Sequence, residues 1–318
     1  MNNQTKFKIA IIGIGGVGGY VGGKLAMRFE NSADVEMGLV ARGANKQAIR
    51  ANGLKLITTE GEFLAKPKLL AATEIGDADL LILCTKDYDL AETVSPLKDL
   101  IGKQTAILPL LNGADTAKRI AEILPENEVW QGCIYIVSRL IAPGVVEETG
   151  NVCRIFFGSE TGKNEKLQRV EAIFKDAGIE AYLAEDISAK IWEKFVFISS
   201  VAAATTYSNA SIREVLENAE SKKLLFDLVA EIKEVARAKQ INVSEAALEQ
   251  TFDRLNSLPR EATSSMHSDF RQGKNAEIES LVDYVVREAE KLNVTVPNYV
   301  RLYNELTNRR NQLMETAK

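Results

Sequence analysis

Apolar residues follow two different rhythms along the 318-residue chain, and the change between them divides it. In the first half, short apolar runs alternate with helical periods. Ile9 to Ile12 form a nearly unbroken apolar run that suits a strand buried on both faces. Val17, Val21 and Leu25 then recur four apart and predict a helix. Val35 to Val40, Leu80 to Cys84 and Thr105 to Leu111 repeat the buried-strand pattern. Leu54, Leu56 and Phe63 flank Thr59-Glu60-Gly61 and predict a strand and hairpin rather than a crossover helix. From Val129 to Gly158 three strands are expected, Cys133 to Val137, Gly144 to Glu147 and Cys153 to Phe157. Pro143-Gly144 and Thr149-Gly150-Asn151 are the expected turns between them. Lys163 to Ala177 predict an amphipathic helix, and Ile179 to Leu183 a last strand.

Everything afterwards reads as helix. Asp186 can cap a segment running through Trp192 to about Thr206. Leu225, Leu228, Val229, Ile232, Val235 and Ala236 keep helical spacing, as do Ile278, Leu281, Val282, Val285 and Ala289. Pro259 and Pro297 mark boundaries between helices. The expectation is an α/β domain over residues 1–185 and an all-helical domain over 186–318. No internal repeat or low-complexity tract interrupts them.

The junctions carry the candidate chemistry. Gly13, Gly15 and Gly18 stand at G-x-G-x-x-G spacing between a strand and a helix, the order a dinucleotide site requires. The first glycine can turn tightly, the second lets backbone approach a pyrophosphate, and the third lets the helix pack closely on the strand. The first helical N–H groups face the anion. With Ile14, Gly16 and Val17, these glycines are the candidate cofactor-binding residues. Arg42 follows the second strand, whereas the acids Glu30, Asp34 and Glu36 come before it or early in it. An arginine there suits the 2′-phosphate of NADP, so NADPH is expected over NADH. A solvated loop arginine is the plain alternative. Thr85-Lys86 and Asn112-Gly113 stop two further strands at the edge where open α/β sheets bind ligands. Asn-Gly is equally a turn signal, so Asn112 alone stays open.

Composition narrows the class. A hydrophobic fraction of 46% and a charged fraction of 26% suit a globular protein. The net charge of −5 argues against nucleic acid as the main partner. Met1 to Lys8 hold no signal-peptide core. The longest apolar stretch, Phe195 to Ala204, is interrupted by serines and too short to span a bilayer, so no membrane partner is expected. Cys84, Cys133 and Cys153 read as buried thiols in a reducing, cytoplasmic compartment. With His267 as the one histidine and no C-x-x-C, no metal is expected. Apolar helix faces can pack within one chain or between two, which leaves a homodimer open.

Two segments of the helical half complete a pattern: Lys190-Ile-Trp-Glu-Lys194, and Ser264-Ser-Met-His-Ser-Asp269 with Glu277 after it. Together with the glycine turn, Arg42, Lys86 and Asn112, they resemble the ketopantoate reductase (2-dehydropantoate 2-reductase) family over nearly the whole chain. The resemblance implies a Rossmann-type NADPH-binding domain, an all-helical domain, and an active site in the cleft between them. It places the catalytic lysine on Lys194 and the active-site glutamate on Glu277. It places substrate contacts on Ser265 and Asn112, and cofactor contacts on Arg42, Lys86 and Asn112. The substrate would be a small 2-keto acid. Hydride delivery to a ketone leaves charge on oxygen, and a lysine ammonium can both stabilise that charge and protonate it. Taken singly, Lys194 reads as an exposed helix lysine, Glu277 as an acid near a helix start, His267 as a polar residue near a helix end, and Trp192 as core.

The chain departs from the family pattern on the lysine helix. Two asparagines expected one and two turns beyond the lysine are replaced by Ile198 and Ala202. A third falls near Ile212, with Asn209 as its shifted counterpart and a candidate substrate contact. Ser199 and Ser200 point away from the face of Ile198 and Ala202. Losing amides that hydrogen-bond a substrate relaxes specificity for it. Three readings follow: ketopantoate reduction, reduction of another and more apolar 2-keto acid, or NADPH binding without catalysis.

Overall fold

The computed structural model describes residues 6–255 and 258–316. The signal-peptide reading therefore lies in part outside the described residues. The chain groups into two compact units, one running to Leu111 and resuming over Asp115–Ile187, the other formed by Asn112–Ala114 and the chain from Ser188 onward.

The elements of the first unit are β1 (Phe7–Ile12), α1 (Gly16–Phe29), β2 (Val35–Val40), α2 (Gly43–Asn52), β3 (Leu54–Thr58), β4 (Gly61–Ala65) and β5 (Lys68–Leu69). They continue with β6 (Leu80–Leu83), α3 (Leu90–Val94), β7 (Ala106–Pro109), α4 (Thr116–Ile123), β8 (Gln131–Ala142), β9 (Val145–Gly158), α5 (Glu165–Asp176) and β10 (Glu180–Leu183). The first sheet is parallel, in the order β5-β2-β1-β6-β7. The apolar run of β1 is buried on both faces: Phe7, Ile9 and Ile11 join one core cluster, Ala10 and Ile12 another. This is the Rossmann-type arrangement expected.

A second sheet, β10-β9-β3-β4 with β8 on β9, covers α1 from its other side. Cβ atoms placed on Gly19 and Gly23 would lie 2.5 Å from Val146 of β9 and 2.8 Å from Leu56 of β3, while one on Gly22 would lie 2.7 Å from Leu39 of β2. Glycine inside a helix costs about 1 kcal/mol against alanine, and here it admits close packing on both sides. The β3–β4 hairpin forms as expected. The three strands expected after Val129 are two long ones, joined by a turn at Pro143-Gly144. Thr149-Gly150-Asn151 is not a turn between strands. Pairing passes from Ile136↔Cys153 to Ser138↔Glu148, so residues 149–152 bulge opposite Val137 within β9, and Gly150 at φ 119 takes the bend.

In the described residues the second unit is helical: α6 (Ile187–Ser208), α7 (Ile212–Glu217), α8 (Ala219–Ala238), α9 (Glu245–Leu255), α10 (Ser265–Arg271), α11 (Tyr284–Leu292) and α12 (Pro297–Thr316). The apolar period over Ile278 to Ala289 carries a π-turn at Glu279–Asp283 before α11. Wide turns of this kind loosen the regular main-chain ladder. Ser199 Oγ on α6 donates to Leu281 O in that turn at 2.5 Å, and the Tyr299 hydroxyl, 2.7 Å from Ser199 Oγ, can then donate to it. Trp192 packs edge-on against Phe195 in the core.

Glu231, 9% exposed on α8, caps α12 from a distance. Its Oε1 accepts from Asn298 N at 2.9 Å and Nδ2 at 2.7 Å, and its Oε2 from Tyr299 N at 3.0 Å. Glu231→Ala strands these donors at the start of α12. It is expected to lower stability by about 2–4 kcal/mol, read as a shift of the urea midpoint. A shift no larger than that of an ordinary surface substitution would refute the capping role.

Candidate active site

The parallel sheet sets out the candidate cofactor residues in a row. In the spatial order β2-β1-β6-β7, Arg42 follows β2, the glycine turn follows β1, Lys86 follows β6 and Asn112 follows β7. Neighbouring strands stand about 4.8 Å apart, and chain order reverses direction between β1 and β6, where such sheets bind ligands. Gly13 has φ +91, and a Cβ on it would lie 2.6 Å from the Cys84 carbonyl carbon and from Thr85 N. A Cβ on Gly18 would lie 2.2 Å from Gly13 O. Gly15 is different, because its Cβ would meet nothing within 4 Å. It stands at the N-cap of α1 with no side-chain cap and no acid in the first turn, so the uncapped N–H groups suit an anion. A dinucleotide pyrophosphate fits this opening.

The turn is held by a residue that the apolar pattern does not reveal. Asn45 Nδ2 donates to Ile14 O at 2.6 Å, and Asn45 Oδ1 accepts from Gly144 N at 2.7 Å. It lies on α2, a polar helix that buries only Ile49 and is signalled in sequence chiefly by Gly53 at its end. The side chain of Ile14 is buried, Val17 packs partly against the core, and Gly16 backs onto the main chain of Ser138. Arg42 is exposed at the N-cap of α2. Lys86 is half-buried ahead of Asp87, whose buried carboxylate accepts from Arg119 Nη1 at 2.5 Å. Asp87 and Arg119 brace this loop and were not signalled by any motif. Burial pushes the Cys153 thiol up to about 12 and raises that of Cys84, although only Cys133 is buried as a whole residue. Among the described residues no cluster of side chains is arranged to hold a metal, and no helix is long and apolar enough to cross a membrane.

In the second unit Lys194 is not a solvated helix lysine: it is 7% exposed, and its Nζ donates to Asn112 Oδ1 at 2.8 Å. Glu277, 3% exposed, stands just before the π-turn. The Ser264-Ser-Met-His segment divides its labour. Ser264 Oγ caps α10 by accepting from His267 N at 3.1 Å and lies 2.8 Å from Thr205 Oγ1 of α6, while Met266 and His267 are buried. Ser265 alone of the four is exposed, at the first position of the helix. Ile198 is half-buried and Ala202 is 2% exposed, and Ser199 and Ser200 spend their hydroxyls on main-chain carbonyls. Asn209 follows α6 and accepts from His267 Nε2 at 3.0 Å.

Two family models match in succession, "Ketopantoate reductase PanE/ApbA" over residues 9–161 and "Ketopantoate reductase PanE/ApbA C terminal" over 186–310. A crystal structure of 2-dehydropantoate 2-reductase from Porphyromonas gingivalis W83 is 38% identical, covering 95% of this chain and 100% of that one, with a TM-score of 0.81. The chain belongs to the ketopantoate reductase family. Among curated relatives, an uncharacterized oxidoreductase, YkpB, of Bacillus subtilis is 27% identical over 94% of this chain and 97% of its own. A 2-dehydropantoate 2-reductase of Halobacterium salinarum is 27% identical over 91% and 94%. As a member of the ketopantoate reductase family, the chain is an oxidoreductase acting on a CH–OH group with a nicotinamide dinucleotide.

Proposed function

We propose that this enzyme reduces a 2-keto acid to a 2-hydroxy acid with NADPH, with 2-dehydropantoate as the leading substrate, in the cytoplasm and on the route to pantothenate. Residues 1–185 would hold the cofactor, and 186–318 the substrate and the proton donor. The observation that carries the reading is the desolvated Lys194 held by Asn112. Burying an ammonium is costly unless it is paired or hydrogen-bonded, and here one of its three donors is fixed on the amide oxygen of Asn112.

The reduced nicotinamide, when bound, supplies the hydride. Lys194 then stabilises the developing alkoxide and gives it a proton. Asn112 orients the ammonium, Glu277 orients the substrate or steadies the lysine by charge, and Ser265 donates to the substrate. The uncapped turn at Gly13–Gly18 takes the pyrophosphate, with Ile14, Gly16 and Val17 shaping it. Arg42 takes the 2′-phosphate, and Lys86 adds positive charge at the same sheet edge.

Arg42→Ala is expected to raise the dissociation constant for NADPH by about 10- to 100-fold through loss of a charge-assisted contact, while that for NADH moves by less than about threefold. Equal losses for both cofactors would remove Arg42 from the 2′-phosphate.

A second reading is favoured by Ile198 and Ala202: a more apolar 2-keto acid, with no hydroxyl for the missing amides to read. A panel of ketopantoate, 2-oxoisovalerate, 4-methyl-2-oxopentanoate and phenylpyruvate, followed by NADPH absorbance, separates the two. If NADPH binds and none of the panel is reduced, the reductase reading fails and cofactor binding alone remains.

A further inference from the structure

α2 has little apolar packing to hold it in place. Ile49, near its end, is its one buried residue, which leaves the first turn to polar contacts. The chain enters the helix through a left-handed residue, Gly43 at φ +53, where a Cβ would meet nothing within 4 Å. Arg42 comes just before that glycine and is exposed. Its carbonyl accepts from Lys46 N at 3.1 Å, which ties Arg42 to the first turn of α2. Where the guanidinium can reach therefore depends on where that turn is held.

Asn45, half-buried on the same turn, supplies the hold. Its Nδ2 donates to Ile14 O at 2.6 Å, 31 positions away, and its Oδ1 accepts from Gly144 N at 2.7 Å, 99 positions away. A carbonyl only accepts and a main-chain N–H only donates, so one orientation of the amide satisfies both. Gly144 is itself fixed, since its carbonyl accepts from Lys55 N at 2.8 Å. Ile14 stands between Gly13 and Gly15, and neither neighbour has a side chain to restrain its peptide. The bond from Asn45 commits the Ile14 carbonyl to α2, next to the uncapped start of α1.

We propose that Asn45 is a positioning residue that couples the two anion-binding points of the cofactor, holding α2, and thereby Arg42, in register with the glycine turn. This rests on the reading that Arg42 takes the 2′-phosphate and the glycine turn the pyrophosphate. Asn45 need touch neither phosphate to do so. With the tie cut, NADH loses only the order of the turn, whereas NADPH also loses a correctly placed guanidinium.

The experiment measures dissociation constants for NADPH and NADH by titration calorimetry in the full-length wild type, Asn45→Ala, Arg42→Ala and the double variant, with urea midpoints beside them. Asn45→Ala is expected to raise the constant for NADPH by about ten- to thirtyfold and that for NADH by about threefold or less. In the Arg42→Ala background the same change should cost NADPH no more than it costs NADH, so the double variant falls short of the product of the single effects by about three- to tenfold. A residue that only stabilised the fold would move the urea midpoint and leave the ratio of the two constants where it was. If Asn45→Ala does not fold, Asn45→Ser takes its place in the cycle, because serine stays polar at the site but is too short to span Ile14 O and Gly144 N. Equal losses for the two cofactors on changing Asn45, or single effects that multiply in full, overturn the coupling and leave Arg42 on the 2′-phosphate. Equal losses for the two cofactors in Arg42→Ala alone overturn that reading and the coupling with it.

Discussion

Replacing Lys194 by alanine is expected to lower kcat by about 10²- to 10³-fold while NADPH binding is retained, the loss typical of removing a donor aimed at a developing oxyanion. Lys194 belongs to α6, and the glycine turn belongs to the other unit. Its removal therefore leaves the uncapped N-terminus of α1 intact. What disappears is the buried ammonium fixed on Asn112. Lys194→Arg keeps the charge but enlarges the head group, and is expected to recover little, since a planar guanidinium does not reproduce the direction of an ammonium held at 2.8 Å. Stopped-flow hydride transfer and NADPH titration check the two halves of the claim separately. A Lys194→Ala protein with kcat within about threefold of the wild type would remove the lysine from the proton-transfer role.

Asn112 sharpens the same point. In sequence, Asn112-Gly113 fits a turn as well as a ligand, because both need a polar residue after a strand. Its Oδ1 meets a lysine 82 positions away, a pairing that no local spacing encodes.

What the sequence made legible follows from what is local. The run Ile9 to Ile12 needs apolar neighbours on both faces, and the clusters around Ile11 and Ile12 supply them. Gly18 is required by Gly13 five positions before it, and Gly13 by its own φ of +91, together with the chain leaving β6 beside them. The hairpin at Thr59-Glu60-Gly61 is set by its own turn residues.

The second sheet is non-local. Its strands come from Leu54 to Ala65 and again from Gln131 onward, and their pairing is not written in either segment. For the same reason Gly19 and Gly23 carry no message in isolation. They become necessary only once Val146 and Leu56 lie against α1. Gly150 misled because the signals for a bulge and for a turn are the same residue types. The π-turn after Glu277 preserves the apolar period that predicted a regular helix, so periodicity had no means of revealing it.

The glycine turn offers a test in which fold and ligand make different demands on neighbouring residues. Gly15→Ala is expected to leave stability nearly unchanged and to weaken NADPH binding by about a hundredfold, whereas Gly18→Ala should damage both. The difference lies in what each new methyl meets. At Gly15 the φ of −96 lies outside the left-handed region, and the space ahead of its Cβ holds no protein atom within 4 Å. Alanine there obstructs only what approaches from outside. At Gly18 the methyl would stand 2.2 Å from Gly13 O and 2.9 Å from Cys84 Cβ, and neither is the end of a flexible side chain that can turn aside. Either α1 withdraws from β1 or the turn itself shifts, at a cost of about 1–3 kcal/mol of overpacking. Urea midpoints measured beside NADPH titrations separate the two variants. If Gly15→Ala bound NADPH as the wild type does, the pyrophosphate would not lie over Gly15, and the cofactor's place at the N-terminus of α1 would have to be abandoned.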